Sequence, residues 1–186
     1  MHPILIALVL LIITAAIGVL LYNQLVGLRQ MAMNGWADID VQLKRRADLI
    51  PQLVATVKAY ASHENKLFDD VTRRRMEALN AGQNPAKRGA AETALSVPVS
   101  RLLALAEDYP DLKASDNFLD LQNELADTED QIEHARRFYN GAVRELNTKI
   151  QTVPANLIAG PFGFRQRSFF ELATSDAALP KLDFDQ

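Results

Sequence analysis

The chain has 186 residues, of which 48% are hydrophobic, and a formal net charge of −3. That size suits one modest domain plus an accessory segment, and the charge gives no global attraction to nucleic acid. Cysteine is absent, which excludes disulfides, lipid attachment at Cys, thiolate chemistry and Cys zinc sites together.

The first element is an unbroken apolar run, Ile4 to Leu21, inside a stretch from Pro3 to Leu28 without a charged side chain. As a helix it covers about 27 Å, close to the roughly 30 Å hydrocarbon core of a bilayer. A cleaved signal peptide needs a positive leading region, and no Lys or Arg precedes the run. The run therefore predicts a retained transmembrane anchor over residues 1–24, with Tyr22 at the headgroup layer. Arg29 follows the span, and Lys44, Arg45 and Arg46 lie farther on. By the positive-inside rule the N-terminus is expected outside and the rest of the chain in the cytoplasm.

Apolar residues recur in steps of three and four at Leu25, Leu28, Ala32, Trp36, Ile39, Leu43, Ala47, Ile50, Val54, Val57 and Ala61. One stripe running down a long helix has this spacing. Pro51 is the strong interruption in it, predicting a kink with the helix resuming toward Asn80. Asn80–Pro85 is a turn. A second helix is predicted over 86–107, kinked at Pro98, followed by a loop over 108–114. Ser115 or Asp116 offers a cap for a third helix. That helix has the clearest period: Phe118, Leu121, Leu125, Thr128, Ile132, Ala135, Tyr139, Ala142, Leu146, Ile150. The alternation is a bundle seam of the coiled-coil kind. Glu133 and Arg137 form an i,i+4 pair in the favourable order. Pro154 and Gly160-Pro161 are expected to end helical order. The fold class is thus all-α: one N-terminal transmembrane helix, an antiparallel helical bundle over 25–175, and a flexible tail over 176–186.

Several stretches together resemble the LemA family of bacterial membrane proteins over nearly the whole chain. They are YNQLVGLRQ (22–30), DIDVQLKRRADLIPQLVATVKAYASHE (38–64), YPDLKASDNFLDLQNELADTED (109–130), ARRFYN (135–140) and IQTVPANLIAGPFGF (150–164). The resemblance implies an N-terminal anchor in a bacterial cell membrane and an antiparallel helical bundle. It supplies no catalytic activity and no cofactor. One branch of the family is associated with magnetosome membranes, which implies membrane organisation.

The chemistry-bearing residues give no enzyme signature. His63-Glu64 begins like a metalloprotease helix, but the second His would fall at Leu67. Gln131 stands where a di-iron helix needs Glu, three residues before His134. No metal, cofactor or catalytic residue is therefore assigned. Asp38, Asp40, Lys44, Arg45, Arg46 and Asp48 crowd one stretch of the first helix. They read either as a buried charge network or as solvated bundle edges with interhelical ion pairs. Arg73, Arg74 and Arg75 point around a helix rather than along one face, which favours solvation. The segment after the third helix carries Phe162, Phe164, Phe169 and Phe170 with Arg165 and Arg167 between them. These six residues read as caps on the bundle core, or as an aromatic-basic patch for a partner or a lipid surface.

The reading that follows is a membrane-anchored scaffold or interaction protein that associates with itself and with a membrane-protein partner. Gly27 and Gly35 are candidate points of close approach for a neighbouring copy. The alternatives are an accessory factor of a membrane enzyme or protease system, a hydrolase built on Asp38–Asp48, or a membrane-remodelling protein. An enzyme would gather its carboxylates in a pocket, whereas a scaffold would not.

Overall fold

The computed structural model describes residues 2–172, and the proposed tail over 176–186 lies outside them. Six helices follow in order: α1 (His2–Lys58), α2 (Asn65–Leu79), α3 (Pro85–Glu107), α4 (Pro110–Lys113), α5 (Asp116–Gln151) and α6 (Asn156–Ala159). No strand occurs among the described residues, so the chain is all-α. Residues 4–17 of α1 are wholly exposed, and this end of the helix is long and apolar enough to cross a membrane. An apolar face with nothing packed on it is stable in lipid rather than in water.

The chain divides into two compact units. In the first, Met1–Leu43 with Thr128–Phe169, α1 and α5 run antiparallel. Gln24 and Leu28 lie beside Thr148 and Thr152, whereas Asp38 and Gln42 lie beside Gln131 and His134. Leu25, Ala32 and Ile39 of α1 and Ile132, Tyr139 and Leu146 of α5 are buried, as the three-four spacing predicts. Gly35 is a packing residue here. A β-carbon at that position would sit 2.9 Å from Phe138 Cδ1 and 3.1 Å from Tyr139 Cα. Gly35 thus admits α5 of the same chain, and its expected role toward a neighbouring copy falls away; Gly27 is exposed with nothing near it.

The second unit comprises Lys44–Asp127 and the segment beginning at Phe170. Its core joins Ile50, Leu53 and Val57 of α1, Phe68 and Val71 of α2, Leu95 and Leu102 of α3, Leu112 of α4, and Phe118 and Leu125 of α5. Two predicted boundaries are corrected. The first helix, expected to continue past a kink at Pro51 toward Asn80, is two helices, because the chain breaks at 59–64. The predicted loop over 108–114 contains α4, whose Leu112 is fully buried. In the first unit α5 ends at Gln151, ahead of Pro154, and the single turn α6 ends at Ala159, ahead of Gly160-Pro161, so the described helical order stops by the expected residues.

Pro51 stays inside α1 for a visible reason. A proline removes the amide that would donate to the carbonyl four residues back, here that of Ala47. Arg75 Nε of α2 donates to that carbonyl oxygen instead, and its Nη2 lies 3.8 Å from Asp48. The acceptor freed by the proline becomes an anchor point for α2. Arg75 is therefore not a solvated residue, unlike Arg73 and Arg74, which pair along α2 with Asp70 and Glu77.

Candidate functional site

The charged stretch of α1 separates into a buried member and a solvated remainder. Asp38, Lys44 and Arg45 are exposed, Asp40 is half-buried, and Asp48 is exposed beside Arg75. Arg46 alone is buried, with 2% of its surface accessible. Its Nη2 meets Glu92 Oε2 of α3, and its Nη1 lies 3.4 Å from Ser96 Oγ. The other carboxylate oxygen of Glu92 accepts from Arg88 Nε at 2.9 Å. Two guanidiniums thus share one carboxylate in a dry site. Such a site costs desolvation energy and returns it only when every partner is in place.

Sequence reasoning singled out Arg46 but missed Arg88 and Glu92. The available signal was an i,i+4 Arg–Glu pair in the Ala-rich part of α3, flanked by the small residues Gly89, Ala90 and Ala91. Gly89 has its own reason to lack a side chain. A β-carbon there would fall 2.2 Å from the carbonyl oxygen of Glu171, so the backbone that follows Phe170 lies directly on α3.

The six residues of the aromatic-basic segment do not form one patch. Within the first unit, Phe164 is buried, Phe162 and Arg165 are exposed, Phe169 is just exposed and Arg167 is half-buried. Phe170 is fully buried in the second unit. The segment before it is neither helix nor strand, and side chains of α5 meet polar groups of its backbone. Asn147 accepts from the Arg167 amide and donates to the Arg167 carbonyl, both at 2.9 Å. Tyr139 donates its hydroxyl to the Ser168 carbonyl at 2.8 Å. Burial pushes the Tyr139 phenol above its ordinary range, while the Arg167 charge pulls it the other way.

Below this, Gly163 at φ +71° makes the reversal that sends Phe162 outward and Phe164 inward. The Tyr22 ring meets Phe162 at 5.1 Å and Phe164 at 5.7 Å, both edge-on, and Arg29 Cζ stands 5.0 Å from the Phe164 ring centre.

Two open hollows occur in the first unit. One contains Asp38, Gln42, Gln131, His134 and Phe138, and Asp38 is its sole carboxylate. The other, near Gln24 and Lys149, has Glu145 alone. Neither holds a pair of carboxylates. His134 is exposed, with Arg137 Nη2 at 2.8 Å from its Nδ1, and Arg137 also forms the expected pair with Glu133 at 3.7 Å. Among the described residues, no three of His, Cys, Asp and Glu gather as a metal site would need.

Residues 35–184 match the LemA family. Magnetosome protein MamQ 2 of Paramagnetospirillum magneticum is 24% identical, covering 81% of this chain and 64% of the relative. Magnetosome protein MamQ of Magnetospirillum gryphiswaldense is 24% identical over 80% of this chain and 64% of its own length. Protein LemA of Metamycoplasma hominis is 26% identical over 74% of this chain and 63% of its own. The chain therefore spans a little under two thirds of the length of these curated relatives. The match across most of the chain, together with the all-α architecture and its apolar leading helix, shows that the chain belongs to the LemA family.

Proposed function

We propose that this is a membrane-anchored helical scaffold that self-associates and presents its helical region to membrane-protein partners. Residues 1–24 serve as a single-pass anchor, 25–175 as the interaction region and 176–186 as a tail. The observation that carries the reading is the continuity of α1, in which an unpacked apolar run and a bundle helix are one element. A span that continues as helix leaves neighbouring copies in one orientation, and confinement to a bilayer raises their effective concentration. With Gly35 occupied by Phe138, the contact between copies falls to the span, where Thr14 and Gly18 lie one turn apart. The LemA membership, and relatives named as magnetosome proteins, support a membrane role. Arg29 after the span supports an N-terminus outside and a cytoplasmic helical region.

The test is the mass of the detergent-solubilised full chain by light scattering, corrected for bound detergent, at several concentrations. A species larger than a monomer is expected, and a chain starting at Tyr22 should be monomeric. A strictly monomeric full-length chain overturns self-association. For orientation, an Ala104→Cys chain should resist an impermeant maleimide in whole cells, and ready labelling places the helical region outside.

A further inference from the structure

Three large apolar side chains stand exposed on the segment that follows α5: Val153 at 72%, Leu157 at 71% and Phe162 at 61%. Single exposed hydrophobics are ordinary on any protein surface. These three differ by sharing one short segment, and by the level at which that segment sits. Ala155 and Ala159 are buried, so α6 turns its small residues inward and Leu157 outward. Amphipathicity is inverted there relative to what water favours. Phe162 touches Tyr22, the residue directly after the apolar run that ends at Leu21. Thr152 shares a hollow with Gln24, so the chain leaves α5 at the same level.

The distances decide what surrounds this segment. Gln24 is three residues beyond Leu21, a rise of about 4.5 Å along the helix. The headgroup layer on each side of the hydrocarbon is roughly 5–7 Å deep. If residues 4–21 fill the hydrocarbon, then Tyr22, Val153 and Phe162 fall inside the headgroup layer. Cationic groups stand just beyond. Arg29 lies over the Phe164 ring, and Arg165 is exposed on the same segment. Apolar side chains at the acyl boundary with arginines next to them, able to reach lipid phosphates, are the make-up of an interfacial membrane contact.

We propose that Val153, Leu157 and Phe162 enter the acyl–headgroup boundary of the bilayer that α1 crosses, giving the first unit a second, interfacial hold on lipid. The occupant of this surface is the membrane itself, because the patch is continuous with the span through the Tyr22–Phe162 contact. The inference rests on residues 4–21 being the anchor and is independent of self-association. Its consequence is that the helix pair α1–α5 is fixed at both of its membrane-proximal chains, rather than swinging on α1 alone.

The chain has no cysteine, so one introduced thiol can be labelled without background. Full-length Leu157→Cys and Asp130→Cys chains, each carrying an environment-sensitive NBD label, are reconstituted into phosphatidylcholine–phosphatidylglycerol vesicles. Asp130 is exposed at the far end of the same unit's α5 segment. The label at 157 should lose at least about half its emission when headgroup-proximal spin-labelled lipid is included, and the label at 130 should not change. Equal insensitivity of both labels in protein that floats with the vesicles overturns the interfacial contact and leaves the anchor standing. Failure of the full chain to float overturns both.

Discussion

The two units of this protein are held by different chemistry. The second has a hydrophobic core drawn from five helices and a buried Arg46–Glu92–Arg88 cluster. The first has a single helix pair whose aliphatic seam is joined by aromatic contacts. Trp36 meets Tyr139 at 5.6 Å, Tyr22 meets Phe162, and Tyr139 and Asn147 bond the backbone at Ser168 and Arg167. A helix pair encloses little volume, so wide rings and side-chain-to-backbone bonds replace the many-sided packing that several helices provide. The difference teaches that one seam on α5 serves two environments, and that deletions along it should fail in different ways.

The largest effect is expected in the second unit. Glu92→Ala removes the carboxylate that both Arg46 and Arg88 meet, and should cost about 3–5 kcal/mol in denaturant unfolding. Arg46→Ala should cost less, because Arg88 still holds Glu92. A reversed order would mean that the cluster is not one coupled group.

Next come the seam residues. Leu125→Ala and Ile132→Ala remove side chains that are 5% and 1% exposed, one in each unit, and should each cost about 2–5 kcal/mol. Glu133→Ala, beside Ile132 on the solvent face, should cost under about 0.5 kcal/mol. Similar losses for Ile132 and Glu133 would show α5 to be rotated.

The Pro51–Arg75 relation gives a smaller, more specific effect. Arg75→Leu strips the Ala47 carbonyl of its donor and should cost about 1–3 kcal/mol. In a Pro51→Ala chain the residue-51 amide can satisfy that carbonyl, so the same Arg75→Leu change should cost less. Strict additivity in this double-mutant cycle would contradict the coupling.

Tyr139 should give a smaller effect than Arg75, and it depends on pH. Its folded-state pKa is raised by burial, so the folded form holds the proton more tightly than the unfolded chain. Its contribution is fully present below the unfolded value near 10 and is lost as pH rises through the higher folded value. Tyr139→Phe should cost about 0.5–1.5 kcal/mol at neutral pH, from the bond to Ser168, and should flatten the alkaline loss of stability.

Much of this was legible in the sequence. The seam from Phe118 to Ile150 has the predicted phase, because periodic burial leaves a periodic trace. What escaped depends on long-range partners. Pro51 looked like a breaker because nothing local shows that Arg75 of another helix supplies the missing donor. The aromatic-basic segment reads equally as core caps or as a surface patch, because spacing cannot show that Gly163 turns Phe162 and Phe164 to opposite sides. Glu92 escaped because an i,i+4 Arg–Glu pair in an Ala-rich helix resembles a surface pair until Arg46 is seen against it.

The central claim is that residues 4–21 hold this chain in a bilayer while the remainder folds outside the hydrocarbon. Alkaline carbonate extraction of membranes, comparing the full chain with one starting at Tyr22, tests it most directly. The account predicts that the full chain stays in the membrane pellet and that the shortened chain is recovered folded in the supernatant. Release of intact full-length protein into the supernatant would contradict it.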